Sequence, residues 1–408
     1  MKLKISHYLC LLVAIATLGQ SNAYAVGSWT FTSVRSSFNG LPGAVGDGVA
    51  NDTAAINRAI AAGTTIYFPP GKYRYVGPMT VPSNISYRFF GDGPGISTII
   101  FTDAVGGINA PSIVDKTFQV DGLTIQGNFG NTGIGINAAL QPNNPKFRTV
   151  TIRNVEIRGS DRTQNPAGYW GTGIKVYQAQ NALIEDVQVH GKLDPASPGP
   201  TASVGIEWSS DPALPSTQLF MHDIQVDFYQ VAIKTSGWVE GFYLDKFELV
   251  FCGYPLPNSK AAMELSATSP SSPGLVFHIS DGHVNQFCCG IRLTNIWHAK
   301  ISQVNFFNQI YDGTHLTLTN CRDVMVTDNN FEDFGISGET NTNGIYSINS
   351  TQVRLAGNSI ALAPTTTNGS CIVVDSASRK VKILDNTFES SPRQIYDAAP
   401  DTYIRLIP

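Results

Sequence analysis

Five charged residues recur at one position of a short repeated pattern. The pattern reads Gly173-Ile174-Lys175-Val176, Gly205-Ile206-Glu207-Trp208, Ala232-Ile233-Lys234-Thr235, Ala262-Met263-Glu264-Leu265 and Gly290-Ile291-Arg292-Leu293. Strand side chains alternate between two faces. With the central Ile or Met inward, Lys175, Glu207, Lys234, Glu264 and Arg292 face outward in a row of alternating sign. The chain as a whole is only 14% charged. The flanking Gly173, Gly205, Ala232, Ala262 and Gly290 predict room beside this row. Glu207 and Glu264 are two repeats apart, roughly 9.6 Å at the usual strand spacing. Carboxylate pairs that hydrolyse a glycosidic bond with inversion stand ~6.5–9.5 Å apart. Removal of a proton next to a uronate carboxylate needs a base and cations instead. Lys234, Arg292, Lys175, His190 and Tyr229 supply those types, and Asp227 at the loop edge can replace either acid. The candidate catalytic residues are therefore Glu207, Lys234 and Glu264. Lys175, Arg292, Asp227, Tyr229 and His190 are candidate binding residues. Tyr169 and Trp170, in a long loop, join them as rings that could stack on sugar faces, with anchoring of the loop as the alternative reading. The competing reading of the row is a ladder of exposed ion pairs, which would add little stability.

The elements that position this row form a repeat. A six-residue box of strand, polar pair and strand appears as VDGLTI at Val120, IRNVEI at Ile152, IEDVQV at Ile184 and MHDIQV at Met221. It continues as LDKFEL at Leu244, ISDGHV at Ile279, ISQVNF at Ile301, VTDNNF at Val326, LAGNSI at Leu355 and ILDNTF at Ile383. Successive boxes start between 22 and 37 residues apart. Repetition at this period marks a solenoid, and the unequal spacing fits β-coils with variable loops. The apolar period is two, not 3.6. Asn329, Asn358 and Asn386 share one position in three successive boxes, where Asn suits a sharp corner and can hydrogen-bond to its neighbour in a stack. The expected fold is all-β, a right-handed parallel β-helix with three strands per coil. Trp208 falls on the inward face.

Residues 1–25 read as a secretory signal. Lys2 and Lys4 precede an apolar core that is too short for a membrane span, and Ala23-Tyr24-Ala25 is a small-residue cleavage pattern. The expected location is secreted or periplasmic. Net charge is −4 and becomes more negative without the leader, so neither nucleic acid nor an anionic membrane surface is an expected partner. No cofactor is expected. A metal site is not expected either, because the cysteines lack CxxC or paired-His spacing. Export permits disulfides, and a bridge from Cys252 to Cys288 or Cys289 is expected between successive coils. In the segment 26–110, NDTAAINRAIAA at 51–62 predicts a helix, capped by Asn51 or Asp52 and stopped at Gly63. Ala55, Ile56, Ala59 and Ile60 make its apolar face. This segment forms the N-terminal cap and first coils, and 111–408 the β-helix, since an open solenoid end must be covered.

The string GDGVANDTAAINRAI followed by IYFPPGKY resembles the N-terminal motif of the pectate-lyase-like right-handed β-helix superfamily. That superfamily includes pectate lyases, polygalacturonases, mannuronan epimerases and tailspike depolymerases. The resemblance implies a polysaccharide substrate, often acidic, in a groove along the outer face of the first strand of each coil, where the charged row falls. The activity it implies is cleavage of glycosidic bonds by hydrolysis or β-elimination, with a non-catalytic glycan-binding protein as the alternative on the same fold. The catalytic strings of the superfamily are absent: there is no Asp-Asp doublet, Gly-His-Gly or Asp-Pro-His.

Overall fold

The alternating pattern of the boxes builds strands that run parallel to one another along the chain. In the computed structural model, described here for residues 30–127, 131–138, 148–193, 200–253, 260–287, 289–307, 313–332, 342–362, 369–389 and 393–406, the strands form two large parallel sheets. The leader expected at 1–25 lies outside the described residues. One sheet holds the boxes. In it Leu123 pairs with Val155 and Val155 with Val187, so the boxes stack in register. The second sheet carries the charged row, from Pro78–Thr80 through Thr172–Tyr177, Ala202–Ser209, Tyr229–Ser236, Ala261–Ser266 and Cys289–Thr294 to Ile395–Asp397. The fold is the expected parallel β-helix.

The polar pair inside each box is where the strand bends. Its second residue takes positive φ in every box: Gly122, Asn154, Asp186, Asp223, Lys246, Asp281, Gln303, Asp328, Gly357 and Asp385. One left-handed residue reverses the pleat, so box residues on both sides of the bend reach the same interior. Asn, Asp and Gly tolerate that conformation; Lys246 and Gln303 adopt it at a cost. The two halves of each box therefore supply two of the three faces of a coil, and the charged-row strand supplies the third.

The interior is a stack of aliphatic and aromatic side chains. Ile174, Ile206, Ile233, Met263 and Ile291 are all buried, as expected, and each such side chain contributes about 1.5–3 kcal/mol. Trp208, Phe242 and Phe277 stack at 6.4 and 5.3 Å between ring centroids. In the last coils Asn329 donates from Nδ2 to Asn358 Oδ1 at 2.9 Å, and Asn358 Nδ2 to Asn386 Oδ1 at 2.8 Å. All three are buried, which is the stack the sequence predicts.

Helix α1 spans Thr53–Ala62 and buries Ala55, Ile56, Ala59 and Ile60 against the first coils. Tyr87 Oη donates to Ile60 O, and Tyr75 Oη to Asn57 Oδ1. Both expected capping residues stand at the helix start, and Asn51 is the one whose side chain meets it. Asp52 is the N-cap residue, but its carboxylate accepts from the backbone N–H groups of Val45 and Gly46 and not from the helix. Asn51 Oδ1 accepts from Thr53 N.

Two expectations are corrected by the packing. Gly173, Gly205, Ala232, Ala262 and Gly290 are buried and do not open space beside the charged row. A Cβ on Gly173 would lie 2.6 Å from Gly205 O, and one on Gly205 the same distance from Ala232 O. These residues are small because the neighbouring rung and face crowd them. The Cys252 thiol is also free. Its partner in the next coil is Gln286, so the register carries the expected bridge past it. The thiol is buried, donates to Val250 O at 3.4 Å, and is pushed well above the ordinary thiol value by that burial. Cys288 lies outside the described residues.

Candidate functional site

The charged row is a column of directly paired residues on the third sheet face. Lys175 pairs with Glu207, Glu207 with Lys234, Lys234 with Glu264 and Glu264 with Arg292. The alternation that buries the Ile column turns these five side chains outward. Lys175 Nζ stands 3.5 Å from Glu207 Oε1, and Arg292 reaches Glu264 Oε1 at 3.2 Å. Lys234, between the two pairs, has no ion pair among the described residues. The carboxylates are the more sheltered members: Glu207 and Glu264 side chains are 16% and 17% exposed, against 46% for Lys175 and 34% for Arg292. The column is thus two ion pairs around one unmatched ammonium, a cationic centre on a net-negative protein.

The column continues beyond the five residues singled out from sequence. Gly135 pairs with Lys175 and Asn109 with Gly135 on one side. Thr317 and then Tyr346 follow Arg292 on the other. Gly133-Ile134-Gly135-Ile136 has the same small-apolar-outward-apolar pattern, so the alternation could have found it; the uncharged Gly135 hid it.

The remaining candidates divide. His190 and Asp227 come together, with Nδ1–H donating to the carboxylate at 2.8 Å. Both lie in a box-sheet column, where His190 pairs with Asp227, and neither belongs to the charged column. His190 Nε2 is buried without a partner among the described residues. Tyr229 is the first residue of its strand and was expected to meet substrate; it is buried instead. Burial, and then the charge of Asp227, push its phenol above the ordinary value. Of the two readings of Trp170, loop anchor is the one the packing fits. It is buried, its Nε1–H donates to Ile125 O at 3.2 Å, and its ring meets Phe101 edge-on. The indole anchors the 158–172 loop to the core, and nothing remains of it for a sugar to stack on. Tyr169 is half-buried with Lys192 Nζ 5.5 Å from its ring centre. The 158–172 loop is tied to the described ends of the second long connection, 190–204: Leu193 N–H donates to Gln164 O at 2.7 Å, and Ser203 and Val204 N–H to Gly171 O. They lead directly into Thr172–Tyr177 and Ala202–Ser209, the first two charged strands.

Sequence reasoning missed Glu156. It is buried with Thr124 Oγ1 donating at 2.8 Å, Arg158 at 3.3 Å, and a charge-assisted bond from Arg162. Burial alone would raise its carboxyl, but the Arg162 and Thr124 hydrogen bonds and the two guanidinium charges outweigh it and leave the group below the ordinary value. Glu156 lies outward in its box by alternation, and the signal was the pair Arg158 and Arg162 just after it. This cluster pins the base of the 158–172 loop.

Residues 41–244, half of the chain, match the family described as rhamnogalacturonase A/epimerase, pectate lyase-like. The chain belongs to that family. Its catalytic strings are absent here, so family membership fixes the scaffold and leaves the reaction to the site. Among curated relatives, mannuronan C5-epimerase AlgE2 of Azotobacter vinelandii is 36% identical over 138 residues, which is 28% of this chain and 14% of that protein. The pre-neck appendage protein of Bacillus phage B103 is 27% identical over 165 residues, 36% of this chain and 19% of the phage protein. The chain thus spans a small part of the relatives' length. The A-module of Azotobacter vinelandii mannuronan C-5 epimerase AlgE6 superposes with a TM-score of 0.52 at 15% identity, covering 90% of this chain and 98% of the module. At that identity the likeness is one of fold.

Proposed function

We propose that this is an exported carbohydrate-active enzyme that removes the proton next to the carboxylate of a uronate sugar in an acidic polysaccharide. The observation that carries the reading is Lys234, an unmatched ammonium between two ion pairs on the outward column. A uronate carboxylate set against Lys234 meets the charge it lacks. As the proton leaves, electron density moves onto that carboxylate, and Lys234 offsets the growing negative charge. Glu207 or Glu264 is placed to take the proton. Expulsion of the glycosidic oxygen from the next carbon then cleaves the chain by β-elimination. Return of a proton from the other face would invert the centre instead, the outcome named for the Azotobacter relatives.

Hydrolysis is the second reading, supported by the two carboxylates on one column. It needs one unpaired, protonated carboxyl as general acid, and both Glu207 and Glu264 are engaged by cations.

Incubation with pectate, alginate and neutral glucans separates the outcomes. An ultraviolet-absorbing unsaturated product is the expected result. Solvent deuterium entering the sugar without cleavage would mean epimerisation. New reducing ends without ultraviolet absorbance would mean hydrolysis and overturn the proposal. Retention of glycan with no product at all would make the protein a binder.

A further inference from the structure

Next to Lys175, on the outer face of the same sheet, lies a cavity of about 420 Å³. Asn109, Asn131, Gly135, Asn137, Lys175 and Tyr177 supply its polar and aromatic lining. Asn109, Gly135 and Lys175 are consecutive members of the outward column, and Asn137 and Tyr177 pair in the column beside it. The cavity exists because Gly135 has no side chain. A Cβ there would meet nothing closer than 3.7 Å, so backbone crowding does not demand glycine at this position. Gly133, two residues earlier, differs: its Cβ would lie 2.8 Å from Gly173 O.

We infer that this cavity is a subsite for one uronate ring of the polysaccharide, remote from the reacting sugar; the inference rests on the function proposed above. The chemistry of the lining fits such a ring. Three side-chain amides offer donors and acceptors to hydroxyl groups. Tyr177 offers a ring face. Among the described lining residues the single charge is the Lys175 ammonium, whose carboxylate partner Glu207 lies outside the lining, so an acidic sugar is favoured over a neutral one. Lys175 is shared: it lines the cavity and also stands 3.5 Å from Glu207. Position gives the length of chain involved. Gly135 is three rungs from Lys234, ~14 Å at the strand spacing. A sugar chain laid along the column advances about one ring per rung, since strand spacing and pyranose repeat are similar. The ring in the cavity is therefore about the fourth, counting the one at Lys234 as the first.

The test is calorimetric binding of galacturonate and mannuronate oligomers, dimer to octamer, to the full chain. For the wild type, affinity should step up roughly tenfold, about 1.4 kcal/mol, when the oligomer reaches tetramer or pentamer. Gly135→Phe fills the cavity and should abolish the step, whereas Gly135→Ala should keep most of it. Carboxyl-reduced oligomers should show no step with wild type, and in Lys175→Met the length dependence beyond the trimer should be the same for charged and reduced oligomers. If Gly135→Phe melts early, Asn109→Ala and Tyr177→Ala carry the same comparison. A step that survives in Gly135→Phe, or in Asn109→Ala and Tyr177→Ala together, overturns the subsite and leaves the proposed reaction standing. Absence of any binding by wild type overturns both.

Discussion

The central and the last coils share one backbone plan and spend their polar residues in opposite places. From Thr172 to Thr294 the charged residues of the third face are outside: Lys175, Glu207, Lys234, Glu264 and Arg292. The interior there is aromatic, with Trp208, Phe242 and Phe277 in a stack. From Ile301 onward the outward column carries Thr317, Tyr346 and Val373. The polar residues move inside, as the Asn329–Asn358–Asn386 ladder. A charge on the outside is free to act on a ligand and costs the fold little. A buried amide must be matched by its neighbours, and so fixes which rung follows which.

The sharpest way to break this comparison is to remove charge from the central column and an amide from the late one. Lys234→Ala should lower activity by about 100-fold or more with no change in melting temperature, because Lys234 holds no ion pair among the described residues. Loss of melting temperature together with activity would make Lys234 structural. Asn358→Ala should do the reverse. It strips Asn329 and Asn386 of their partner and also the Val326 carbonyl, to which Asn358 Nδ2 donates at 3.0 Å. Unfolding in urea should show a loss of about 2 kcal/mol, with activity per folded molecule intact.

Glu156 sharpens the contrast, being a charge drawn inside by a loop. Its folded-state carboxyl lies below the ordinary value of 4.5. The stability it contributes is therefore complete above that pH and is lost as pH falls through the lowered folded-state value. Melting curves through the acid range should show this slope in the wild type, flattened in Glu156→Gln. An unchanged slope would assign acid loss to other groups. The smallest effect is expected at Lys175. With an exposed ammonium 3.5 Å from Glu207, Lys175→Met should cost no more than about 1 kcal/mol in urea unfolding.

What the sequence disclosed follows from how far each signal reaches. Period-two alternation is local, and it placed the boxes, the inward Ile column and the charged column correctly. The Asn stack was legible because the same residue type recurs at the same box position. Tyr229 was misread, and Trp170 left between two readings, because burial under a loop depends on what the loop folds over. Gly173 and Gly205 were misread because alternation names a face and says nothing of the distance to the next rung. The Cys252 expectation failed on register, where an irregularity after Val250 sets Cys252 against Gln286. Gly135 escaped because a missing side chain leaves no chemical type to notice.

The left-handed residue in each box has a bearing on how such a protein changes over time. It sets the bend inside a box whose length never varies, while the connections between boxes range widely. Rung-to-rung pairing therefore does not depend on loop length. Segments can be lengthened, exchanged or recruited beside the charged column without disturbing the stack beneath. The scaffold tolerates insertion in the connections beside the charged column and resists it where the register is kept, so loop sequence and preserved fold can be selected independently.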